Sequence, residues 1–169
     1  MEVTTMNAER AMHGYALANN EGEAFWLLGM LQTIKIGSAD ANGGFGLIEV
    51  VVPPGLGSPL HVHPEEDEWF YVLEGNLTVY VANTRLDLMA GGFAFGPKGV
   101  PHTFIGAGPN PTRMLVGFAP MHILPPPHEG PPPAIEKLAP IAKRNGFIIL
   151  GPPGPPQETN AGWPIHLSV

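Results

Sequence analysis

The sequence predicts an all-β fold, a sandwich or a barrel of short antiparallel strands. Three observations support this class. Strand-like apolar segments recur about every eight to twelve residues between residues 23 and 118, turn residues separate them, and several segments alternate apolar with polar positions. The chain has 169 residues, so one barrel with extensions would account for all of it.

The first strand signals lie between residues 23 and 53. The segment AFWLLGMLQTIKIG predicts one or two strands, and FGLIEVVVPPG predicts another that ends at Pro53. Between them, Asp40-Ala41-Asn42-Gly43-Gly44 has the composition of a hairpin connection. Residues 1–20 show little periodicity, and we expect them to form an arm ahead of a barrel over residues 21–120.

The stretch from Gly55 to Gly75 carries the first group of chemically active side chains. In an extended strand His61 and His63 share one face, because successive side chains point to opposite sides. Glu68 begins an aromatic and β-branched segment that we expect to run antiparallel to the first strand. This pairing would return the carboxylate of Glu68 to the two histidines, so the stretch predicts a three-ligand metal site.

A fourth candidate ligand, His102, lies in the segment GGFAFGPKGVPHTFIG, which reads as strand, turn and strand. Three imidazoles and one carboxylate suit Fe(II), Mn(II), Co(II), Ni(II), Cu(II) or Zn(II) and are too rich in nitrogen for Ca or Mg. We therefore expect one divalent transition metal per chain.

These two stretches resemble the paired motifs of the cupin family. The first motif is matched by Gly55, five residues, His61-x-His63, four residues, Glu68, six residues and Gly75, and the second by Gly91, five residues, Pro97-x-Gly99, two residues and His102. A chance match has a probability on the order of 10⁻⁵. The chain departs from the pattern at Gly106, where asparagine is usual, and at Gly91-Gly92, where Gly-Asp is common.

The resemblance covers roughly residues 45–118 and implies a cupin jelly-roll barrel, the double-stranded β-helix. It also implies that the barrel is single, that His61, His63, Glu68 and His102 hold the metal inside it, and that the protein is a homodimer. The run from Glu68 to Gly75 and the C-terminal extension resemble those of quercetin-dioxygenase-like single-domain cupins.

This narrower resemblance implies a dioxygenase of the quercetin 2,3-dioxygenase type that acts with dioxygen on an enol-bearing aromatic or a related small molecule. Glu68 would then be the catalytic base. Phe70, Val72, Phe95 and Phe104 are candidates for an apolar substrate pocket, although barrel aromatics also serve as core. Two other readings are a metal-dependent isomerase, lyase or decarboxylase on a small oxygenated substrate, and a non-catalytic cupin that binds a small molecule.

Composition excludes several other classes. The net charge is −7 and the eight lysines and arginines are scattered singly, so the sequence offers no basic patch for nucleic acid. Cysteine is absent, which excludes disulfides, thiolate ligands and cysteine nucleophiles. The sequence shows neither a secretory signal pattern nor an apolar run long enough to cross a membrane, which predicts a cytoplasmic protein.

Two further segments have predictions of their own. The acidic run Glu65-Glu66-Asp67 lies at a turn, where a solvated loop is expected, with Glu66 as an alternative metal ligand if Glu68 moves. Residues 121–169 form a Pro-rich extension with a short helix expected at about 134–145, although Pro140 opposes it. The apolar segment FIILGPPGPP after this helix predicts a short strand or docking segment.

Overall fold

The computed structural model of the chain describes residues 14–121, 142–143 and 148–154. In these ranges eleven strands form two antiparallel sheets. Their bounds are β1 Glu23–Leu27, β2 Met30–Ile36, β3 Gly46–Val52, β4 Leu60–Val62, β5 Asp67–Glu74, β6 Asn76–Val81, β7 Thr84–Met89, β8 Phe93–Gly96, β9 His102–Ala107, β10 Thr112–Ala119 and β11 Ile148–Gly151. The prediction of an all-β fold is confirmed.

The two sheets differ in size and face each other. The six-stranded sheet has the order β1-β2-β3-β10-β5-β8, and the five-stranded sheet has the order β11-β4-β9-β6-β7. Neighbouring strands in space are mostly distant in sequence, since the chain crosses repeatedly from one sheet to the other. The crossings place β4, β5 and β9, which carry the candidate ligands, around one interior.

The core lies between the sheets and is built from the inward-facing side of each strand. Phe70 and Val72 of β5 and Leu77 and Val79 of β6 are fully buried there. In β5 the intervening residues point outward, which is the period of two expected for a strand with one buried face. The remaining core members are Met30, Ile48, Val50, Val52, Ala94, Phe104, Met114 and Val116.

The expected pairing of β5 with the strand that carries the histidines is wrong. β4 pairs with β9 and β11, whereas β5 pairs with β10 and β8. A bend at Pro64 and Glu65 carries the chain from one sheet to the other instead of reversing it within a hairpin. Glu68 therefore approaches the histidines across the interior and not from a neighbouring strand.

Two connections join the first three strands. The segment 40–44 joins β2 to β3, which pair antiparallel as expected for a hairpin connection. Leu28 and Gly29 join β1 to β2 with φ values of 55° and 75°, the positive values of a tight hairpin turn.

The apolar C-terminal segment forms β11, which pairs with β4 through Ile148, Ile149 and Gly151. This confirms the predicted strand. Of the predicted helix at about 134–145, only Ala142 and Lys143 lie within the described residues, and both are helical. The other residues of that helix, residues 1–13 of the arm and most of the Pro-rich extension lie outside them. Within the described ranges, no helix has the length and apolar character to span a membrane.

Candidate metal centre

The structure brings together all four residues that the sequence offered as metal ligands. His61 lies in β4 and is the register partner of His102 at the start of β9, whereas His63 follows β4 and Glu68 lies in the opposite sheet. One donor atom from each residue lies within 4.8 Å of the others, and all four residues are buried. Convergence of this kind is the geometry that a single ion requires.

Small residues and loop contacts create the space for this cluster. Gly96 is the register partner of Glu68, and a Cβ added at Gly96 would lie 3.0 Å from Nδ1 of His102. The Gly99 amide donates to the His63 carbonyl at 2.8 Å, and the Lys98 amide donates to Oδ1 of Asp67 at 2.9 Å. These two bonds tie the loop before β5 to the loop before β9, and so hold the ligands of both motifs in one arrangement.

The outward nitrogens of the three histidines all face hydrogen-bond acceptors. Nδ1 of His61 lies 2.8 Å from the Pro59 carbonyl oxygen, and Nδ1 of His102 lies 2.9 Å from the Val100 carbonyl oxygen. Nδ1 of His63 lies 2.9 Å from Oε2 of Glu66. A neutral imidazole that donates from Nδ1 has its lone pair on Nε2, so these contacts set the tautomer that leaves Nε2 available to a metal.

The inward nitrogens converge on one carboxylate oxygen. Oε2 of Glu68 lies 2.6 Å from Nε2 of His102, 3.2 Å from Nε2 of His63 and 3.4 Å from Nε2 of His61. In the metal-binding tautomer these four atoms are all acceptors, and they repel one another unless a proton or a cation lies among them. Ligand atoms about 2.1 Å from a shared ion are about 3 Å apart when adjacent. The donor set and its spacing therefore fit one divalent transition metal.

Protonation in the absence of metal is unevenly divided among the ligands. Burial, together with the charge of His102, lowers the pKa of His61 below 6.5. Burial also opposes the charge on His63, but the carboxylates of Glu66 and Glu68 outweigh it and raise the pKa of His63 to about 9. Burial alone would raise the pKa of Glu68, whereas hydrogen bonds from the three imidazoles hold it well below its usual range. The metal-free cluster is thus an ionised Glu68 beside a protonated His63.

Comparison with known proteins places this arrangement in a family. The family described as Cupin domain, Cupin_2, matches residues 48–118, the segment that contains all four candidate ligands. A solved structure described as a predicted oxalate decarboxylase from Thermotoga maritima superimposes with a TM-score of 0.58 at 18% identity, covering 63% of this chain and 100% of that one. Residues 48–118 of the chain therefore form a cupin domain. Its two sheets are the two faces of the cupin jelly roll, which confirms the fold that the motifs implied.

Two curated proteins share sequence with the cupin segment. Quercetin 2,3-dioxygenase from Bacillus subtilis strain 168 is 29% identical over 90 residues, which are 53% of this chain and 27% of that protein. The rhicadhesin receptor of Pisum sativum is 34% identical over 80 residues, which are 44% of this chain and 37% of that protein. The chain thus spans between a quarter and two fifths of the length of these relatives.

The four predicted pocket residues occupy two different places. Phe70, Val72 and Phe104 are buried in the core, where the ring centroid of Phe70 lies 6.1 Å from that of His102 and 5.6 Å from that of Phe104. Phe95 is 47% exposed and points to the outer face of β8, since its neighbour Ala94 faces the interior. The structure therefore places Phe70 beside His102 and Phe95 outside the barrel.

Sequence reasoning missed Phe118 beside the cluster and misjudged Glu66, which it considered only as an alternative metal ligand. Phe118 is the register partner of Glu68, and its ring centroid lies 5.9 Å from that of His63. Its position at the end of a predicted strand carried no signal of this contact. Glu66 is also part of the site, and its exposed fraction is only 4%.

The expectation that the acidic run 65–67 is a solvated loop is wrong for Glu66. Glu65 is exposed, but Glu66 is buried against His63, and Asp67 accepts the hydrogen bond from the Lys98 amide. The bend at Pro64 and Glu65 turns Glu66 inward. The three-residue spacing from His63 to Glu66 was the signal that could have suggested this contact.

Gly106 shows why this cupin lacks the usual asparagine at that position. A Cβ at Gly106 would lie 2.7 Å from the Pro53 carbonyl oxygen and 3.1 Å from Cγ1 of Val52. The backbone of Gly106 bonds directly to the turn between β3 and β4, accepting from Gly55 at 2.9 Å and donating to the Leu56 carbonyl at 2.8 Å. Backbone hydrogen bonds therefore join the two motifs here, in space that a side chain would fill.

Proposed function

We propose that this cupin is a metal-dependent dioxygenase of the quercetin 2,3-dioxygenase type, acting on an enol-bearing aromatic or a related small molecule. The observation that carries the proposal is the convergence of three Nε2 atoms and one carboxylate in a buried cluster. Similarity to the Bacillus subtilis quercetin 2,3-dioxygenase covers this part of the chain and supports the choice of reaction.

The proposed holders of the metal are His61, His63, Glu68 and His102. When bound, a divalent ion would stabilise an oxyanion and leave one or two positions open to the substrate. Fe, Mn, Co, Ni, Cu and Zn all suit the donor set, because imidazole and carboxylate ligands do not select sharply among them.

Glu68 is the proposed proton acceptor. In the metal-free cluster its carboxylate is ionised, because the three imidazoles hold its pKa well below the usual range. The enol hydroxyl of the substrate would transfer its proton to Glu68, leaving an enolate on the substrate and a carboxylic acid on Glu68. The enolate is the electron-rich form that dioxygen oxidises. Burial of Glu68 keeps bulk water from returning the proton.

The surroundings of the cluster favour an uncharged, aromatic substrate. Phe70 and Phe118 place aromatic rings next to His102 and His63. Two barrel cations are paired with carboxylates outside the cluster, Arg85 with Asp87 and Arg113 with Glu49 and Glu74. Among the described residues, no lysine or arginine forms a salt bridge with the cluster. A dianionic substrate such as oxalate would find no such partner there.

The test is a joint measurement of metal content and oxygen consumption. The protein is purified without chelators and without a histidine tag. Quercetin and a panel of enolic aromatics are then tested as substrates. We expect about one transition metal ion per chain and substrate-dependent oxygen uptake. The double variant His61→Ala/His63→Ala should lose both, whereas Arg85→Gln, on the outer surface, should keep both.

The other outcomes separate the alternatives. Bound metal without oxygen uptake across the panel would overturn the dioxygenase and favour a metal-dependent isomerase, lyase or decarboxylase. Bound metal with ligand binding but no turnover of any class would favour a non-catalytic cupin. Absence of metal after reconstitution with each of the six ions would overturn the metal site itself.

The proposal includes a homodimer, supported by an aromatic face on the outside of the six-stranded sheet. This face consists of Trp69 and Tyr71 of β5 and their register partners Phe95 and Phe93 of β8. The exposed fractions are 56% for Phe93, 47% for Phe95 and 40% for Tyr71. The face itself carries no charge, so two copies with a net charge of −7 each can approach there with the least repulsion.

A further inference from the structure

We infer that Glu66 is a positioning residue for the metal: through Nδ1 of His63, its carboxylate orients that ligand and makes it the strongest donor of the three imidazoles. The inference rests on the metal site of the proposed function. Glu66 would lie behind the ligand His63 and support it, whereas the sequence suggested Glu66 as a replacement ligand for the metal.

The first observation is an asymmetry among the three histidines. Nδ1 of His61 and Nδ1 of His102 face neutral backbone carbonyls, whereas Nδ1 of His63 faces the carboxylate of Glu66 at 2.9 Å. A carboxylate polarises the Nδ1–H bond more strongly than an amide carbonyl does, because it carries a full negative charge. The lone pair on Nε2 of His63 is correspondingly more basic.

The second observation is the burial of Glu66. Its exposed fraction is 4%, in a loop whose neighbours Pro64 and Glu65 are exposed. Burying a carboxylate costs free energy unless a partner compensates for it. The protein accepts this cost at Glu66. Two hydrogen bonds order the loop that contains Glu66, one from the Gly99 amide to the His63 carbonyl and one from the Lys98 amide to Asp67.

The third observation is that Glu66 lies behind its ligand. His63 presents Nδ1 to Oε2 of Glu66 and Nε2 to Oε2 of Glu68, so the imidazole ring separates the two carboxylates. Glu66 therefore acts on a bound ion through His63 and not by direct contact. Removing the charge of Glu66 should make His63 a weaker metal ligand and leave the number of ligands unchanged.

The experiment compares Glu66→Gln and Glu66→Ala with the wild type and with Glu65→Gln. Glu65 is the matched control, because it is adjacent, loses the same charge and is exposed. Affinities for Zn(II) are measured by competition with a chelator, and visible absorption spectra are recorded at saturating Co(II). Thermal unfolding of each metal-free variant reports whether the fold is intact.

We expect Glu66→Gln to bind Zn(II) about 10-fold more weakly and Glu66→Ala up to about 100-fold more weakly than the wild type. Glutamine keeps an acceptor for Nδ1–H and loses only the charge, so it should recover part of the affinity lost in the alanine variant. The Co(II) bands of Glu66→Gln should shift at full loading, because the ligand field of His63 has changed. Glu65→Gln should match the wild type in both measurements.

Three results would overturn the inference, and they are distinguishable from one another. Wild-type affinity and an unshifted Co(II) spectrum in both Glu66 variants would overturn the positioning role and leave the metal site standing, as would an equal loss in Glu65→Gln. Failure of the wild type to bind Zn(II) or Co(II) would overturn the proposed metal site and this inference with it.

Discussion

Glu68 combines two roles in the proposed site, ligand and proton acceptor, and a single substitution separates them. In Glu68→Gln the amide oxygen can still face the three imidazoles, but it is too weak a base to take the proton of an enol. We expect metal content close to that of the wild type and at least a 100-fold loss of oxygen uptake, since general bases contribute about 10²–10⁴-fold.

The matched control for this substitution is Glu74→Gln, at the exposed end of the same strand. It should behave like the wild type in metal content and in oxygen uptake. Unchanged turnover in Glu68→Gln would remove Glu68 as the base.

His63 predicts how metal binding responds to pH. Its pKa in the metal-free protein is raised to about 9, so below that pH a metal must displace a proton from the imidazole. Apparent affinity should therefore rise with pH, by about tenfold per unit contributed by this group, and level off above about pH 9. Titration calorimetry at pH 7.5 in buffers of different ionisation enthalpy should show about one proton released per metal bound. A binding enthalpy independent of the buffer would contradict this assignment.

Individual residues explain which parts of the site could be predicted from the sequence. His61, His63, Glu68 and His102 could be identified because ligand chemistry depends on residue type, and the spacing of the motifs is a property of the chain. Phe118 could not, because an aromatic residue in a strand has no special chemistry until its neighbours are known. Glu66 was misjudged, since a carboxylate at a turn is usually solvated and only the bend at Pro64 turns this one inward.

At the scale of elements, the contact between β9 and the turn before β4 depends on Gly106. We expect Gly106→Asn, which restores the residue usual in the family, to lower the free energy of unfolding by about 1–3 kcal/mol, because its Cβ overlaps the Pro53 carbonyl oxygen. Thermal or urea unfolding measures the change.

Gly91→Asn is the matched control for that substitution. A Cβ there meets nothing within 4 Å, and asparagine tolerates a φ of 85° better than most residues. Its cost, from backbone strain alone, should be about 1 kcal/mol. Equal stability of Gly106→Asn and the wild type would show that the strand shifts to accept a side chain.

The strand β4 carries His61 but has only three residues, and its register with β9 consists of the single pair His61 and His102. β11 supplies the other edge, with Ile149 opposite His61. We expect Ile149→Pro to weaken Zn(II) binding and to lower the free energy of unfolding by about 1–2 kcal/mol, because proline cannot donate to the ladder. Ile149→Val keeps the backbone donor and should match the wild type. Unchanged Zn(II) affinity in Ile149→Pro would show that β9 alone positions His61.

At the scale of the whole molecule, the aromatic face predicts self-association. We expect the wild type to sediment at twice the mass of one chain and the double variant Phe93→Ser/Phe95→Ser to sediment as a monomer, since it removes two of the most exposed rings of the face. Met89→Ser, which removes a side chain that is 71% exposed on β7, is the control and should leave the wild-type mass unchanged. A dimeric double variant would exclude this face as the interface.

By itself, the sequence determined the all-β class, the two cupin motifs and the four side chains able to hold a metal. The alternation of apolar and polar residues, the turn residues and the motif spacing are local properties of the sequence. They do not depend on which strands pair. The tertiary structure decided that β4 and β5 lie in different sheets, that Phe95 faces outward and that Glu66 lies behind His63. These are contacts between segments that pair only after the chain has crossed from sheet to sheet, and no local pattern specifies which strands will meet.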